Sequence, residues 1–379
     1  MDIKNLSSHL PIISILLPSF RGGGAERVAI NLANYWVQQQ FQVEIVLLRQ
    51  EGELFDLLDS RVVLYSLEVS RIRGAILPLR SYFVRKRPSV ILVGLWPLTS
   101  AAIVAWQLAG KPGVLFAQDH TNLKVACIQE LHLSPLYVRA LLKATYPLAT
   151  GLLAVSEGVK DDLCLLGNIP AKNVHVIYNP VALGVDTIPS PDKILRTQLW
   201  GSDFTYNILA VGTLKTQKNF PLLIRAFAQL PTTLNAKLTI LGEGPLRLEL
   251  EELIAQLKLD RCVSLPGFFL DPAPWFRTAD VFVLSSSWEG FANVLVEALD
   301  FGVPVVSTDC RSGPAEILDN GSYGRLVPVG DASALAAAIQ ASLEETHDQE
   351  ALRSRAKDFS VPRISDQYLA YFRSMGAQI

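Results

Sequence analysis

Short apolar runs alternate with amphipathic segments along almost the whole chain, and this alternation constrains the fold more than any other feature. Runs that are apolar at consecutive positions are typical of strands buried on both faces, and the intervening segments carry apolar residues at helical spacing. The predicted strands are 12–18, 43–48, 62–67, 90–94, 113–117, 151–156 and 174–178, and then 206–212, 236–242, 262–268, 280–286, 303–308 and 324–329. The main predicted helices are 25–39, 100–109, 134–146, 221–230, 247–258, 292–299 and 332–343. This order predicts an α/β protein with parallel, doubly wound sheets.

The strand and helix rhythm is interrupted once, by the polar, proline-containing stretch 184–203, which we interpret as a linker or hinge. A chain of 379 residues is also long for one hydrophobic core. We therefore predict two Rossmann-like domains, residues 1–185 and 186–360, that face each other across a cleft. A C-terminal helix within 361–379 is expected to pack back on the first domain. Ligands of such sheets bind at the carboxyl ends of the strands.

Composition excludes several classes of protein. The net charge of −2 and the pI near 6.2 indicate no nucleic-acid partner. Four scattered cysteines without a CxxC motif, and no clustered histidines, argue against a disulfide framework and a structural zinc site and favour a reducing compartment. The N-terminus lacks the long apolar region of a signal peptide. We expect a cytoplasmic protein.

Two segments raise the question of a membrane. Residues 90–110 carry no charge and are long enough to span a bilayer, but we interpret them as a buried strand followed by a buried helix, because the α/β rhythm continues on both sides. Residues 71–87 carry six basic and no acidic side chains. They are either a solvated helix or an amphipathic basic face for anionic lipid on the inner side of a membrane.

The glycine loop 19–27 follows the first predicted strand and opens a helix. Here backbone amides and the helix dipole can hold an anion, and the glycines at 22, 23 and 24 allow close approach. A dinucleotide site is less favoured, because Arg27 stands where the third glycine of GxGxxG belongs and Glu44 lies early in its strand. A tight turn without a ligand remains open.

Two further strand-to-helix connections lie in the second half. The stretch 211–220 carries Lys215 and Lys218, which suit a diphosphate beside a helix N-terminus or are plain surface charges. In SSSWEGFANVLVEAL, Glu289 lies in the turn and Glu297 on the helix, so the two carboxylates either border one cleft or form a solvated pair. In the first half Asp119 and His120 follow the predicted strand 113–117, where His120 is either a buried structural histidine or a functional one, and Glu157 follows another strand.

These motifs together resemble the retaining glycosyltransferases of family 4, which have the GT-B architecture of two Rossmann-like domains. The resemblance rests on GGGAER, VGTLKTQKNF, LGEGP, LPGF, ADVFVLSSSWEGFANVLVEAL and GVPVVSTDCRSGPAEIL, which occur in the order of the family and cover most of the chain. The EGFxNVLVEA segment, with two glutamates eight residues apart, is the most specific of them. A single glycine loop is not specific.

The resemblance implies a role for each matching residue. Glu297 would hold the ribose of a nucleotide-sugar donor, Glu289 would contact the donor sugar, and Lys218 would bind the diphosphate. His120 would lie near the reacting sugar, so that the catalytic set is Glu289, His120 and Lys218. The remaining donor-binding residues implied by the resemblance are Gly22, Gly23, Gly24, Gly212, Thr213, Lys215, Gly267, Phe268, Gly290, Phe291, Ala292 and Asn293. Thr213 departs from the family pattern, in which arginine often follows this glycine, and Lys215 is a candidate to compensate.

The expected activity is retaining transfer of a hexose-type sugar from a nucleotide-sugar, with UDP as the commonest carrier, to a lipid-linked, polysaccharide or glycolipid precursor. No cofactor and no obligatory metal are expected, because a lysine and helix-start amides can stabilise the leaving diphosphate. The alternatives are an NAD-type oxidoreductase, a sugar-nucleotide epimerase or a phosphorylase of similar fold. A non-catalytic protein that binds nucleotide-sugars is a further alternative.

Overall fold

The computed structural model describes residues 11–21, 23–184 and 193–379. Thirteen strands lie in this part of the chain, and their order alternates with helices as the sequence predicts. The strands are β1 (Ile12–Leu17), β2 (Gln42–Leu47), β3 (Val63–Ser66), β4 (Val90–Gly94), β5 (Val114–Asp119), β6 (Gly151–Ala154), β7 (Val174–Val176), β8 (Tyr206–Val211), β9 (Ala236–Leu241), β10 (Val263–Gly267), β11 (Val281–Leu284), β12 (Val305–Thr308) and β13 (Arg325–Val327).

The helices are amphipathic or buried segments between these strands. They are α1 (Gly24–Gln38), α2 (Ile76–Lys86), α3 (Leu98–Leu108), α4 (Leu123–Gln129), α5 (Pro135–Thr145), α6 (Glu157–Gly167), α7 (Lys193–Trp200), α8 (Phe220–Phe227), α9 (Arg247–Gln256), α10 (Ala273–Thr278), α11 (Asn293–Asp300), α12 (Pro314–Ile317), α13 (Ala332–Glu344), α14 (Gln349–Lys357) and α15 (Val361–Ser374). In the described part of the chain no helix is long and apolar enough to cross a bilayer.

The strands form two parallel sheets with the same topology. The first has the order β3-β2-β1-β4-β5-β6-β7, and the second has the order β10-β9-β8-β11-β12-β13. In both, the chain starts in the middle of the sheet, extends to one edge and then crosses back to build the other. This is the doubly wound arrangement, so the predicted α/β class with two Rossmann-like sheets is confirmed.

The chain divides into two compact units. Unit 1 comprises Met1–Val155, Lys160–Ile177 and Ile364–Ile379, and unit 2 comprises Ser156–Val159 and Tyr178–Arg363. The core of unit 1 includes the central strand β4, all five residues of which are buried, as expected for a strand covered on both faces. The core of unit 2 is built from β8, β9 and the apolar face of α8, where Leu223 and Ile224 are fully buried.

The last helix belongs to the core of unit 1 over most of its length. Phe372 on α15 is fully buried, stacks on Phe116 of β5 with ring centroids 4.6 Å apart, and meets Trp36 of α1 at 5.9 Å. Tyr368, one helical turn earlier, is also fully buried and accepts a hydrogen bond from Gln118. The hydrophobic core of unit 1 therefore includes side chains that lie more than 200 positions after β5 in the sequence.

Two sequence interpretations need correction. The stretch 184–203 is not wholly a linker, because Lys193–Trp200 forms α7, while residues 185–192 lie outside the described part. Trp200 is fully buried and donates from Nε1 to Thr278 Oγ1 at 2.8 Å, and Arg196 pairs with Asp280 at 2.7 Å. Trp200 is the buried residue of this helix, and the polar composition around it gives no helical pattern of apolar residues. The predicted strand 113–117 is also too short, since β5 extends through Asp119.

Candidate functional site

The carboxyl edge of the sheet in unit 2 brings three loops together. β8, β11 and β12 are neighbouring parallel strands, so the connections that follow them leave the sheet at the same edge. These connections are residues 212–219, 285–292 and 309–313, and each leads to a helix. Two of them contain the lysine and glutamate motifs singled out in the sequence. The structure thus places the connection 212–219, which carries Lys215 and Lys218 and is called the lysine loop below, beside the connection 285–292, which carries Glu289 and is called the EGF turn below.

Lys218 and Glu289 form an ion pair at this edge. The Lys218 Nζ lies 2.6 Å from Glu289 Oε1, and the two side chains are only 15% and 7% exposed. Ser286 Oγ donates to the same carboxylate oxygen at 2.6 Å, and Gln217 Nε2 donates to Oε2 at 3.3 Å. Three donors therefore hold a largely buried carboxylate. The two residues with separate expected roles, at the diphosphate and at the sugar, touch each other.

Sequence reasoning did not identify Gln217 and Ser286. Ser286 precedes Glu289 by three residues, and its bond to this carboxylate gives no distinct signal in the sequence. Gln217 carries no such signal either. It reaches Glu289 only because the short 3₁₀ turn Thr216–Lys218 packs beside β11, where Gln217 also bonds the carbonyl of Trp288 at 3.0 Å.

The loop after β8 is shaped by close backbone contacts. Gly242, at the end of β9, has a φ of +144°, and a Cβ on it would collide with the carbonyl of Gly212. Leu214 N donates to Glu243 O at 2.9 Å, and Lys215 N donates to Thr213 O at 2.8 Å. Thr213 is exposed, whereas Lys215 is partly buried. The LGEGP motif therefore supports the loop that carries Lys218.

The turn into α11 presents backbone amides at the same edge. Phe291 is 2% exposed, and Ala292 caps the helix in the left-handed region with a φ of 64°, which is uncommon for a residue with a Cβ. Asn293 Oδ1 accepts a hydrogen bond from Asn179 Nδ2 at 2.7 Å, which fixes the first residue of the helix. The first N–H groups of a helix have no partner within it and attract anions. The order Glu289-Gly290-Phe291 thus delivers the chain from the buried carboxylate to a helix N-terminus.

Three other predicted donor-binding residues lie outside the lysine loop and the EGF turn. They are Glu297, Gly267 and Phe268. Glu297 is partly buried on α11, two helical turns from Glu289 in sequence. Gly267 ends β10, has a φ of +103° and accepts a hydrogen bond from Gly242 N at 2.8 Å, while Phe268 is 42% exposed. β9 and β8 lie between β10 and β11 in the sheet. The LPGF segment at the end of β10 is therefore separated from Glu289 by the lysine loop that follows β8.

Unit 1 holds the predicted residues His120 and the glycine loop. His120 follows β5, its Nδ1 is buried and lacks a partner among the described residues, and burial lowers the pKa of its imidazole to about 4. A Cβ on Gly94 would lie 3.3 Å from His120 Nε2, so the ring packs against the end of β4. Gly23 and Gly24 lie at the start of α1, and Gly22 lies outside the described residues. At neutral pH this histidine is uncharged.

Asp119 faces the opposite side of the same strand. It is 1% exposed, and its Oδ2 accepts from Tyr146 OH at 2.8 Å, while Tyr146 OH lies 3.0 Å from Thr99 Oγ1. Oδ1 has no partner among the described residues. Burial raises the pKa of this carboxyl to about 7, although the bond from Tyr146 lowers it. A carboxyl and an imidazole adjacent in the sequence are thus both shifted towards their neutral forms.

The glutamate weighed as a ribose-binding acid has a structural partner. Glu44, 1% exposed in β2, lies 2.8 Å from Lys86 Nζ and accepts from Tyr82 OH at 2.8 Å.

The four cysteines are free thiols, and no cluster of histidine, cysteine, aspartate or glutamate with the arrangement of a metal site occurs in residues 11–21, 23–184 and 193–379.

Comparison with known proteins defines the class. Residues 22–185 match the family model described as Glycosyltransferase Family 4, and residues 202–359 match the model described as Glycosyl transferases group 1. The chain belongs to this family of glycosyltransferase enzymes, and its two parallel sheets are those of the GT-B fold. The match does not favour the oxidoreductase, epimerase and phosphorylase alternatives.

Particular relatives are similar over different lengths. One is the N-acetylgalactosamine-N,N'-diacetylbacillosaminyl-diphospho-undecaprenol 4-alpha-N-acetylgalactosaminyltransferase of Campylobacter jejuni, 35% identical over 61% of this chain and 62% of its own. A second Campylobacter jejuni protein, the GalNAc-alpha-(1->4)-GalNAc-alpha-(1->3)-diNAcBac-PP-undecaprenol alpha-1,4-N-acetyl-D-galactosaminyltransferase, is 26% identical over 94% of this chain and 97% of its own. The crystal structure of Anabaena Alr3699/HepE in complex with UDP-glucose superposes with a TM-score of 0.80, at 24% identity over 97% of this chain and all of HepE.

Proposed function

We propose that this protein transfers a hexose-type sugar from a nucleotide-sugar, with UDP as the carrier, to a lipid-linked or polysaccharide precursor, with retention of the anomeric configuration. The observation that carries the proposal is the Lys218–Glu289 pair beside the N-terminus of α11. It combines a cation and helix-start amides for a diphosphate with a carboxylate that can accept bonds from sugar hydroxyls.

The reaction breaks the bond between the anomeric carbon and the phosphate oxygen and forms one from that carbon to an acceptor hydroxyl oxygen. The nucleoside diphosphate leaves with the bonding electrons, and its departing oxygen takes up the proton of the acceptor hydroxyl. Lys218 has three N–H donors, so it can bind the diphosphate and keep its bond to Glu289. Glu289 would hold the sugar hydroxyls and Glu297 the ribose. Neutral His120 is proposed to contact the reacting sugar.

The donor is tested first by binding. A thermal-shift panel of UDP, GDP, ADP and their sugars should give its largest rise in melting temperature with UDP and a UDP-hexose, since a ligand of the native state stabilises it by mass action. The HepE complex with UDP-glucose supports this choice of carrier. Absence of a shift with every nucleotide would remove the proposed function, and a shift with GDP alone would reassign the donor.

The acceptor is proposed to be a sugar on a polyprenyl diphosphate. The support lies in the names of the two Campylobacter proteins, both of which act on undecaprenol-linked saccharides. Incubation of the protein with radiolabelled UDP-sugar and a short polyprenyl-diphosphate glycan should move label into the butanol-soluble fraction. NMR of the product should give the same anomeric configuration as the donor, and an inverted product would exclude retention.

Metal independence is part of the proposal. Lys218 and the amides of residues 291–293 would neutralise the leaving diphosphate, a task that a divalent cation performs in other transferases. Activity in EDTA should therefore equal activity in Mg²⁺ within about two-fold. A loss of more than ten-fold in EDTA that Mg²⁺ or Mn²⁺ restores would contradict it.

We further propose that unit 1 binds an anionic membrane surface. Residues 69–156 contain ten basic and two acidic side chains, and one of the acidic side chains is the buried Asp119. Leu77 on α2 is 71% exposed, and Leu136 and Tyr137 on α5 are 75% and 55% exposed. Exposed apolar side chains among cations are typical of surfaces that insert into the lipid interface.

The helices that carry these side chains form one layer. α2 packs against α3, and α3 packs against α5. Arg80 Nε donates to the carbonyl of Leu108 at 3.1 Å, and Gln107 Nε2 donates to the carbonyl of Leu148 at 2.9 Å, so the C-terminal end of α3 is tied to α2 and to the turn that follows α5.

The basic segment 71–87 is not uniformly available to lipid. Lys86 pairs with buried Glu44, and Arg85 donates to Tyr65 OH at 2.6 Å, whereas Arg71, Arg73 and Arg87 are exposed and have no partner among the described residues. The informative variant therefore neutralises Arg71, Arg73 and Arg87 and leaves Lys86 unchanged. It should bind phosphatidylglycerol vesicles at least ten-fold more weakly than the unaltered protein. Equal binding, or no binding by either protein, would contradict the membrane proposal.

A further inference from the structure

The loop that follows β12, residues 309–313, is fixed against the candidate donor site. Glu289 N lies 3.4 Å from the carbonyl of Arg311. A Cβ on Gly313, which has a φ of +101°, would lie 2.6 Å from the carbonyl of Phe291. The loop therefore contacts the EGF turn at both ends of the segment from Glu289 to Phe291. Its backbone has a defined position beside the N-terminus of α11.

Cys310 places the same loop beside the Lys218–Glu289 pair. The thiol is 3% exposed, and burial raises its pKa, with the charge of Glu289 adding to the rise and that of Lys218 opposing it. Both charges act on this thiol, and Arg311 is the next residue in the chain.

Arg311 carries a charge that the described part of the chain does not neutralise. It is exposed, and no described residue lies within hydrogen-bond or salt-bridge distance of its guanidinium, whereas Arg196 and Arg247 pair with carboxylates. Two further donors are unused, since the hydroxyl of Ser312, next to Arg311, and the indole N–H of Trp288, next to Glu289, are buried without a partner among the described residues. By contrast, the charge of Lys218 is already balanced by Glu289.

We propose that Arg311 is a diphosphate-binding residue of the donor site, and that it supplies the cation missing at Thr213. This inference rests on the proposed function, because it assigns a residue to the diphosphate of the nucleotide-sugar. A guanidinium bonds two phosphate oxygens at once and keeps its charge at every working pH. β8 and β12 flank β11, so the loops that carry Thr213 and Arg311 border the EGF turn from opposite sides.

The test compares UDP with uridine by isothermal titration calorimetry. Arg311→Ala should weaken UDP binding about 10- to 100-fold, as expected for the loss of charge-assisted bonds, and leave uridine binding unchanged. Arg261→Ala is the matched control, because Arg261 is exposed in the same unit but precedes β10, at the opposite edge of the sheet. The salt dependence of UDP affinity should be reduced in Arg311→Ala and not in Arg261→Ala.

Two further variants distinguish the possible outcomes. Thr213→Arg combined with Arg311→Ala should recover most of the lost UDP affinity, because it restores a guanidinium at the diphosphate. Lys215→Ala alone should have the smaller effect, and a larger loss in Lys215→Ala than in Arg311→Ala would overturn the inference. Equal UDP affinity in Arg311→Ala and the unaltered protein would overturn it while the proposed function stands. Failure of the unaltered protein to bind UDP, GDP or ADP would overturn both. Melting temperatures without ligand confirm that each variant is folded.

Discussion

The ammonium of Lys218 lies 2.6 Å from the carboxylate of Glu289, and this pair is mostly withdrawn from water. The two residues are expected to serve different parts of one donor, yet each is already the principal charge partner of the other. Such a pair keeps both side chains in place before a ligand arrives, and it keeps an isolated charge out of a region of low dielectric.

Removal of Lys218 should therefore destabilise unit 2. In Lys218→Met the Glu289 carboxylate remains buried without its cation, and we expect the free energy of unfolding to fall by about 2–4 kcal/mol. Urea unfolding followed by tryptophan fluorescence measures this change. Lys258→Met, at an exposed lysine of the same unit, should change it by less than about 0.5 kcal/mol. The double variant Lys218→Met/Glu289→Gln should be more stable than Lys218→Met, and the reverse order would argue against the pair.

Glu297 is expected to affect ligand binding and not folding. Because this partly buried side chain lies on α11 and is proposed to hold the ribose, Glu297→Gln should lower UDP affinity about 10- to 100-fold. The melting temperature without nucleotide should stay within about 2 °C of that of the unaltered protein. Glu252→Gln, at an exposed position of α9, serves as the control. A nucleotide-induced shift that survives in Glu297→Gln would exclude the ribose role.

Asp119 should make unit 1 less stable as the pH rises. Burial raises the pKa of its carboxyl from 3.8 to about 7, so its stabilising contribution is complete below pH 3.8 and is lost as the pH rises through 7. Asp119→Asn cannot ionise and can still accept the bond from Tyr146. The stability of this variant relative to the unaltered protein should increase between pH 5 and pH 8, by about 2–4 kcal/mol at most.

The control for this experiment is Asp161→Asn, at an exposed position on α6. Its stability difference should be nearly constant over the same pH range. His120 has the opposite sign, because burial lowers its pKa from 6.5 to about 4 and its contribution is lost as the pH falls through 4. This term is common to all three proteins and cancels in the differences. A flat profile for Asp119→Asn would contradict the raised pKa.

Phe372 should be a large contributor to the stability of unit 1. Its ring is fully buried between Phe116 and Trp36, and Phe372→Ala should lower the free energy of unfolding by about 3–5 kcal/mol, because it leaves a cavity in a packed core. Met375→Ala, three residues later and 37% exposed, should cost less than about 1 kcal/mol. A loss of less than about 1 kcal/mol in Phe372→Ala would mean that this ring adds little to the core.

Much of the fold was predictable because strands and helices depend on patterns of apolar residues within short segments. Each of the thirteen predicted strands overlaps a strand of the structure, and the helices at 25–39, 134–146 and 332–343 lie within two residues of their predicted bounds. Consecutive apolar residues are sufficient to identify strands buried on both faces. The helices α4, α6, α10, α12 and α14 were not among the main predicted helices, and α7 was interpreted as part of a linker, because a single buried tryptophan in a polar stretch produces no periodic signal.

Lys218, Glu289 and His120 were singled out from the sequence, but their contacts were not. Residue type and position after a strand single out Lys218, Glu289 and His120. Nothing in the spacing predicts that Gln217 and Ser286 hold Glu289, or that Asp119 bonds Tyr146. The roles of these side chains towards a donor and acceptor remain predictions for the experiments above.

By itself the sequence determined the order of strands and helices, the class of fold and the loops that carry chemistry, because these depend on patterns within about ten residues. Tertiary structure decided which of those loops meet. The crossover that places β11 beside β8 brings Glu289 to Lys218 across 71 positions, and the one that places β12 beside β11 brings Arg311 to Glu289. Whether a charged side chain has a partner depends on which loops the neighbouring strands bring together, and its burial sets the energy of the interaction. Both are defined only in the assembled sheet.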